Sequence, residues 1–329
     1  GRVALALVLA RSGLAEGGHT RGQLPYATLD ELLTEWPITA PDCPEPLLES
    51  LPVFSAANES EMSLAKRFRA AAQPFKIVQL SGLAKLHDRW TDEYLSHRFG
   101  STPGHVQASP TARFDTTNHV HEHDVAGYNV TTKTLRMRFT DWLKLAYDAD
   151  AERLPYGAPH SAFRSIGKDF MKEDVKFLDR SPVDKRESIP WTQSVFCRFG
   201  MRGAITPAHY DLAGDNYIAM VRGAKRYILN PPSDCERLSV QTQRGHPLHR
   251  FSYLDWSDMD QVRSHEGSKI HSVQTVLREG ELLYLPAKWF HTVVSVGLSI
   301  QCNRRAGEKY LASADRRAID HCMGSHLRC

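Results

Sequence analysis

The chain carries Thr206-Pro-Ala-His209-Tyr-Asp211 and, 80 residues after Asp211, the end of Gly280-Glu-Leu-Leu-Tyr-Leu-Pro-Ala-Lys-Trp-Phe-His291. Side chains at i and i+2 of a strand share a face, so the His209 imidazole and the Asp211 carboxylate project together. His291 stands at the head of a further apolar strand. Two His and one carboxylate on one face of an iron leave adjacent coordination positions open. A structural zinc site would instead close its fourth position with protein. An H-x-D alone says little in a chain with 16 His. A buried hydrogen-bonded trio is the bland alternative, and it leaves the flanking residues unexplained.

Outward from these stretches, the chain after residue 190 reads as short strands separated by turn signals. They are Ser194–Phe199, Ile205–Tyr210, Tyr217–Val221, Lys225–Leu229, Ser272–Leu277, Glu281–Leu285, Thr292–Val296 and Ser299–Asn303. Strands this short and this dense predict a sandwich or small barrel. Before them, Met62–Ala72 is helical in composition and Phe75–Leu80 reads as a buried strand. Thr91–Phe99 reads as a helix with acids in its first turn, closed by Gly100. Phe139–Tyr147 repeats that logic with Thr140 as N-cap. The fold class is α+β, with helices outside a β core.

Lys225, in Arg222-Gly-Ala-Lys-Arg-Tyr-Ile-Leu-Asn-Pro-Pro232, enters a largely apolar strand. A lysine directed into a barrel is costly unless an anion meets it. A dicarboxylate chelating the metal at one end would supply that anion at the other. Thr206 and Asn216 can add neutral hydrogen bonds to the same ligand, or serve as plain strand and turn residues.

Together, Thr206–Asp211, Asn216, Gly223-Ala-Lys225-Arg, Pro231-Pro232 and Gly280–His291 resemble the JmjC-domain oxygenases of the cupin superfamily. Within that family they are most similar to the small hydroxylase branch typified by factor-inhibiting HIF. The resemblance spans roughly residues 61–305. It implies a double-stranded β-helix with flanking helices, Fe(II) on His209, Asp211 and His291, and 2-oxoglutarate on Thr206 and Lys225 with Asn216 and Asn303 nearby. The implied activity consumes O2 and 2-oxoglutarate, releases succinate and CO2, and hydroxylates a protein side chain. Where the family often offers the cosubstrate a Tyr hydroxyl, this chain has Ser161-Ala-Phe163-Arg164.

Alternatives stay open. A demethylase, or an oxygenase acting on RNA or a small molecule, would use the same motif. A non-catalytic cupin-fold binding module would keep it without turnover. His119-Val-His121-Glu-His123-Asp124 is a competing metal candidate for a cupin isomerase, although its polar setting favours a loop. Trp191, Trp289 and Phe290 are expected to pack at the barrel mouth. Arg304-Arg305 could meet an acidic or phosphate group of a substrate, though exposed arginines need no such reason.

Composition narrows the partners. With 41 Lys and Arg against 38 Asp and Glu, the net charge of +3 gives nucleic acid little hold. A protein or peptide substrate is expected. The one prominent apolar run, Val3 to Ala10, is too short to span a bilayer. With its flanking Arg2 and Arg11 it suits a secretory or organelle leader, or a bland apolar start. Residues 1–60, rich in proline, read as leader, linker and wrapping segment. Residues 61–305 form the catalytic unit, and 306–329 a C-terminal helix and tail. That tail has room for one helix, about Lys309 to Cys322, so a homodimer through a long C-terminal helical module is not expected. Sequons at Asn58 and Asn129 would permit glycosylation. The six cysteines lack a C-x-x-C pair, against a zinc finger or thioredoxin-like site. Cys197 and Cys302 are expected to pack as small hydrophobes, and Cys322 and Cys329 are a candidate disulfide.

Overall fold

A computed structural model describes residues 49–100, 103–110, 112–114, 132–152, 160–164, 173–179, 183, 195–211, 214–242, 246, 248–256, 262 and 269–305. The His119–Asp124 cluster, Trp191, the N-terminal apolar run, Asn129 and the Lys309–Cys322 helix lie outside the described residues.

Eight strands correspond one to one with those predicted after residue 190. They are β7 (Phe196–Gly200), β8 (Ile205–His209), β9 (Asn216–Arg222), β10 (Ala224–Asn230), β11 (Val273–Arg278), β12 (Leu282–Leu285), β13 (Phe290–Ser295) and β14 (Ser299–Arg305). Four pair antiparallel in the order β11-β10-β13-β8, and four in the order β12-β9-β14-β7. Two facing four-stranded sheets between which the chain crosses at every step except β10–β11 form a double-stranded β-helix.

Six earlier strands extend these sheets. β1 (Glu49–Ser50) adds to the first beside β11. β2 (Val53–Ser55) and β3 (Phe75–Val78) extend the second beyond β12. On its other side lie β6 (His160–Arg164), β4 (Gly104–Ser109) and β5 (Lys133–Met137). The sequence patterns gave no sign of β4–β6. They pair over long sequence separations, and β5 alternates between half-buried and exposed residues rather than forming an apolar run.

Helices α1 (Glu59–Ala70), α2 (Ser81–Arg89), α3 (Asp92–Phe99) and α4 (Phe139–Glu152) accompany the sheets. Asn58 caps α1, accepting hydrogen bonds from the Ser60 and Glu61 amides. Thr91 caps α3 as expected. Thr140 does not cap α4, which begins one residue earlier. The Trp142 amide donates to the Arg138 carbonyl, and the Arg138 side chain pairs with Asp141.

Strand alternation then divides the core. Tyr217, Ala219, Val221, Phe199, Ile300 and Tyr284 face outward from the second sheet and pack beneath helical residues such as Leu83, Leu86, Leu95, Phe139 and Trp142. Ile218, Met220, Tyr227, Leu229, Leu283 and Leu285 face inward. A separate cluster, including Ala208, Ile228, Leu238, Trp256 and Phe290, covers the outer face of the first sheet.

Gly223 makes the β9–β10 turn possible. Its φ is +69°, and a Cβ there would lie 2.1 Å from the Leu298 carbonyl oxygen. Glycine therefore sets the entry of Lys225 into the barrel.

The expectation for Cys197 and Cys302 needs correction. They stand directly opposite in the β7–β14 ladder and form a disulfide across 105 residues of sequence. The apolar pattern placed both within buried strands, but it carried no information about which strands are neighbours. Constraining a loop this long stabilises a fold by about 2–4 kcal/mol in typical cases. Reduction with a phosphine is expected to lower the urea midpoint accordingly. A non-reducing peptide map should contain the linked pair, and recovery of both peptides as free thiols would contradict this.

Candidate metal centre

The β8–β13 register assembles the centre. His209 and His291 are directly opposed, with ring centroids 4.2 Å apart. Asp211 follows His209 just beyond the end of β8. One ligand atom from each of His209, Asp211 and His291 lies within 4.8 Å of the others.

Both imidazoles are oriented from behind. His209 Nδ1 donates to the Pro207 carbonyl at 2.9 Å, and His291 Nδ1 donates to the Trp289 carbonyl at 3.1 Å. A carbonyl only accepts, so each Nδ1 carries the proton and each Nε2 keeps its lone pair. Backbone fixation of the tautomer is the usual outer support of a metal-binding imidazole. Phe251 stacks on the His209 ring at 5.0 Å. Asp215 accepts hydrogen bonds from the Tyr284 hydroxyl and the Ala287 amide, both at 3.0 Å, and so holds the turn leading to His291.

Protonation favours coordination. Burial, reinforced by His291, holds His209 well below the usual imidazole range. Burial likewise lowers His291. For Asp211, burial pushes upward, but His291, Arg305, His209 and Arg198 outweigh it and keep the carboxyl ionised. Two neutral imidazoles and one carboxylate form a donor set suited to a divalent transition metal.

A hydrogen-bond relay runs to Asp211 through the barrel. The Tyr227 hydroxyl donates to Gln301 Oε1 at 2.8 Å, and Gln301 Nε2 donates to Asn303 Oδ1 at 2.9 Å. Asn303 Nδ2 donates to Asn216 Oδ1 at 3.2 Å, and Asn216 Nδ2 reaches Asp211 Oδ2 at 3.4 Å. Arg305 Nη2 lies 2.7 Å from the same oxygen. Asn216 and Asn303 thus bear on the centre through Asp211.

Lys225 is 7% exposed and lies at the deep end of the barrel. A Cβ on Gly200 would stand 3.4 Å from its Nζ, 2.7 Å from Ser295 Oγ and 3.1 Å from Ser299 Oγ. An ammonium and two hydroxyls therefore converge over a residue without a side chain. Among the described residues no carboxylate or hydrogen-bond acceptor meets Lys225. Burial, with help from Arg198, lowers its pKa to about 7.

Thr206 reaches the interior through an irregularity. On β13 His291 and Val293 are two residues apart, whereas their partners His209 and Thr206 on β8 are three apart. The extra residue is a bulge, and it returns Thr206 to the inward face with Val293. Pro207 fits there because β8 is an edge strand. For Phe163 and Arg164 the strand position in β6 is defined, next to β7.

Several residues escaped sequence reasoning. Ser295 and Ser299 looked like ordinary strand polar residues, and Tyr227 and Gln301 like parts of apolar and polar runs. Arg198 lies between Cys197 and Phe199, and Asp215 in a short loop; neither matched a motif. Alternation within β7 was the available signal for Arg198, since it sets Arg198 opposite to the apolar pair Cys197 and Phe199.

A double-stranded β-helix with two His and one Asp converging at one end of its bore is a cupin of JmjC type. The chain belongs to the family described as cupin-like domain, whose model matches residues 61–305. It is similar to Jumonji C domain-containing protein 5 of Drosophila melanogaster, 29% identical over 44% of this chain and 34% of that protein. Similarity to tRNA wybutosine-synthesizing protein 5 of Mus musculus is 27% identity over 78% of each chain. Lysine-specific demethylase JMJ30 of Arabidopsis thaliana is 30% identical over 44% of this chain and 32% of that protein. The chain thus spans about a third of the length of the Jumonji C and demethylase relatives.

Two outcomes follow for metal binding. His209→Ala and His291→Ala should each weaken Mn(II) or Co(II) binding at least 100-fold by calorimetry. Because burial lowers both histidines, binding to the native protein should persist below pH 6.5, where free imidazole is mostly protonated. A midpoint at or above pH 6.5 would contradict the protonation states inferred above.

Proposed function

We propose that the chain is an Fe(II)- and 2-oxoglutarate-dependent oxygenase that hydroxylates a protein side chain. The observation carrying this is Lys225, a buried ammonium unmatched among the described residues in the same bore as the His209–Asp211–His291 group. Such a cation is costly alone, and the distal carboxylate of a dicarboxylate would supply its partner. Bound iron would couple oxidation of the substrate by O2 to decarboxylation of 2-oxoglutarate, giving succinate and CO2.

The residues divide the remaining work. His209, Asp211 and His291 would hold the metal. Lys225, with Ser295 and Ser299, receives the distal carboxylate above Gly200, and Thr206 lines the same bore. Asn216 and Asn303 keep Asp211 oriented. The apolar surroundings at Ile218, Leu229 and Leu285 limit water around the bound groups. Demethylation would employ the same oxidation. Its product is distinguished by formaldehyde release rather than a stable mass gain of one oxygen.

The direct test needs no substrate. Adding 2-oxoglutarate to anaerobic Fe(II) protein should produce a visible metal-to-ligand charge-transfer band. The band should be lost in His209→Ala and require at least tenfold more cosubstrate in Lys225→Ala. Its absence in folded, iron-loaded protein at millimolar 2-oxoglutarate would move the assignment to a non-catalytic binding module.

Lys225→Met separates stability from function. The unpaired ammonium destabilises the ligand-free fold, and the cost is greatest below about pH 7, where the folded lysine is charged. It fades as pH rises toward the ordinary lysine range, since there only the unfolded chain still binds the proton. Lys225→Met should therefore stabilise the ligand-free protein by about 1–3 kcal/mol at pH 7 and by much less at pH 10. Urea unfolding at the two pH values reads this directly; destabilisation at pH 7 would refute it.

A further inference from the structure

We infer that Arg198, beside the Arg305–Asp211 pair, forms an anion subsite next to the metal centre, and that the peptide substrate presents an acidic side chain, Asp or Glu, to it. This rests on the oxygenase assignment and extends it to substrate class.

Strand register fixes where the two arginines lie. Arg198 opposes Gln301 in the β7–β14 ladder, and Gln301 faces inward, where it bonds Tyr227 and Asn303. Directly paired residues share a face, so Arg198 enters the bore. Along β7 the inward residues run Gly200, Arg198, Phe196, from the Lys225 end toward the metal end. The guanidinium carbon of Arg198 lies 5.3 Å from the centroid of the Phe196 ring. That of Arg305 lies 5.3 Å from the same centroid. Both arginines therefore flank one ring, and Arg198 stands between the metal group and Lys225, close enough to act on the charge of each.

Charge shows what is missing there. Lys225, Arg198 and Arg305 bring three cations into the bore, and Asp211 is the carboxylate among them. A divalent metal and a dicarboxylate cosubstrate cancel one another, so loading the site leaves two positive charges unbalanced. Arg305 is held on Asp211. Arg198 meets no carboxylate or hydrogen-bond acceptor among the described residues. Burial lowers its pKa and Arg305 adds to that, while Asp211 acts in the opposite sense. Guanidinium binds carboxylate through parallel hydrogen bonds, and the Phe196 ring lies beside the Arg198 group. A side-chain carboxylate fits a single guanidinium recessed in a bore, whereas RNA phosphates run along a backbone and are met by extended basic surfaces.

The test uses the full chain loaded with Mn(II) and 2-oxoglutarate, immobilised and exposed to a randomised heptapeptide library. Asp or Glu should be enriched at one register at least threefold over Asn and Gln, and Arg198→Gln should abolish the enrichment. In the same variant the Fe(II) charge-transfer band with 2-oxoglutarate should still form, with half-saturation less than tenfold above the native value, and this also reports correct folding. Arg198→Lys should retain part of the acidic preference. Absence of acidic enrichment, or its persistence in Arg198→Gln, overturns the proposal. So does a tenfold rise in half-saturation, which would make Arg198 a cosubstrate anchor, or Arg198-dependent capture of a single-stranded RNA oligonucleotide without acidic peptides. Absence of the band in the native protein would instead defeat the oxygenase assignment on which the proposal rests.

Discussion

The pairing of β8 with β13 governs the chemistry of this barrel. It brings His209 opposite His291 across one ladder, and a single extra residue in β8 also turns Thr206 inward. A one-residue slip of β8 elsewhere in that ladder would carry His209 to the outer face, where Ala208 and Phe290 now pack with Trp256 and Leu238, and part it from His291. Register is therefore held by burial on both sides of the sheet. The Pro207 and Trp289 carbonyls that orient the imidazoles belong to the same two segments. Strand pairing, ring orientation and proton position are in this sense a single structural decision.

The interior is polarised along its length. At one end a carboxylate and two neutral imidazoles form a group that could hold a metal; at the other an ammonium and two hydroxyls converge. Between them the Tyr227–Gln301–Asn303–Asn216 relay spends each amide as both donor and acceptor, so few buried polar groups along this path go unmatched. Such an interior sacrifices stability for binding. The apolar layers outside it, from Phe139 and Trp142 on one sheet to Trp256 and Phe290 on the other, compensate for that cost.

Legibility in the sequence followed the range of the interaction. The eight barrel strands were visible because each is short, apolar and bounded by turns. The His209–Asp211–His291 group was visible because His209 and Asp211 are two residues apart and His291 ends a recognisable segment. Lys225 could be singled out because its strand is otherwise apolar. The partners that matter across strands were hidden. Ser295 and Ser299 converge with Lys225 over Gly200 through sheet packing, and the Cys197–Cys302 pairing depends on β7 and β14 being neighbours. Arg198 was hidden for another reason: an arginine in a strand ordinarily marks the wet face, and only the register shows that this one points inward. Strands β4, β5 and β6 lacked a strong local pattern because they borrow stability from a sheet edge already formed.

The first and last strands of the barrel are also its covalent ends. Because Cys197 and Cys302 are joined, the polypeptide between them, which includes His209, Asp211, His291 and Lys225, is a closed ring. A peptide-bond break anywhere in the long β10–β11 connection would open that ring into a linear chain without releasing a fragment. His209 and His291, on opposite sides of such a break, would remain tethered, and the centre could survive a nick that would divide an unbridged barrel in two.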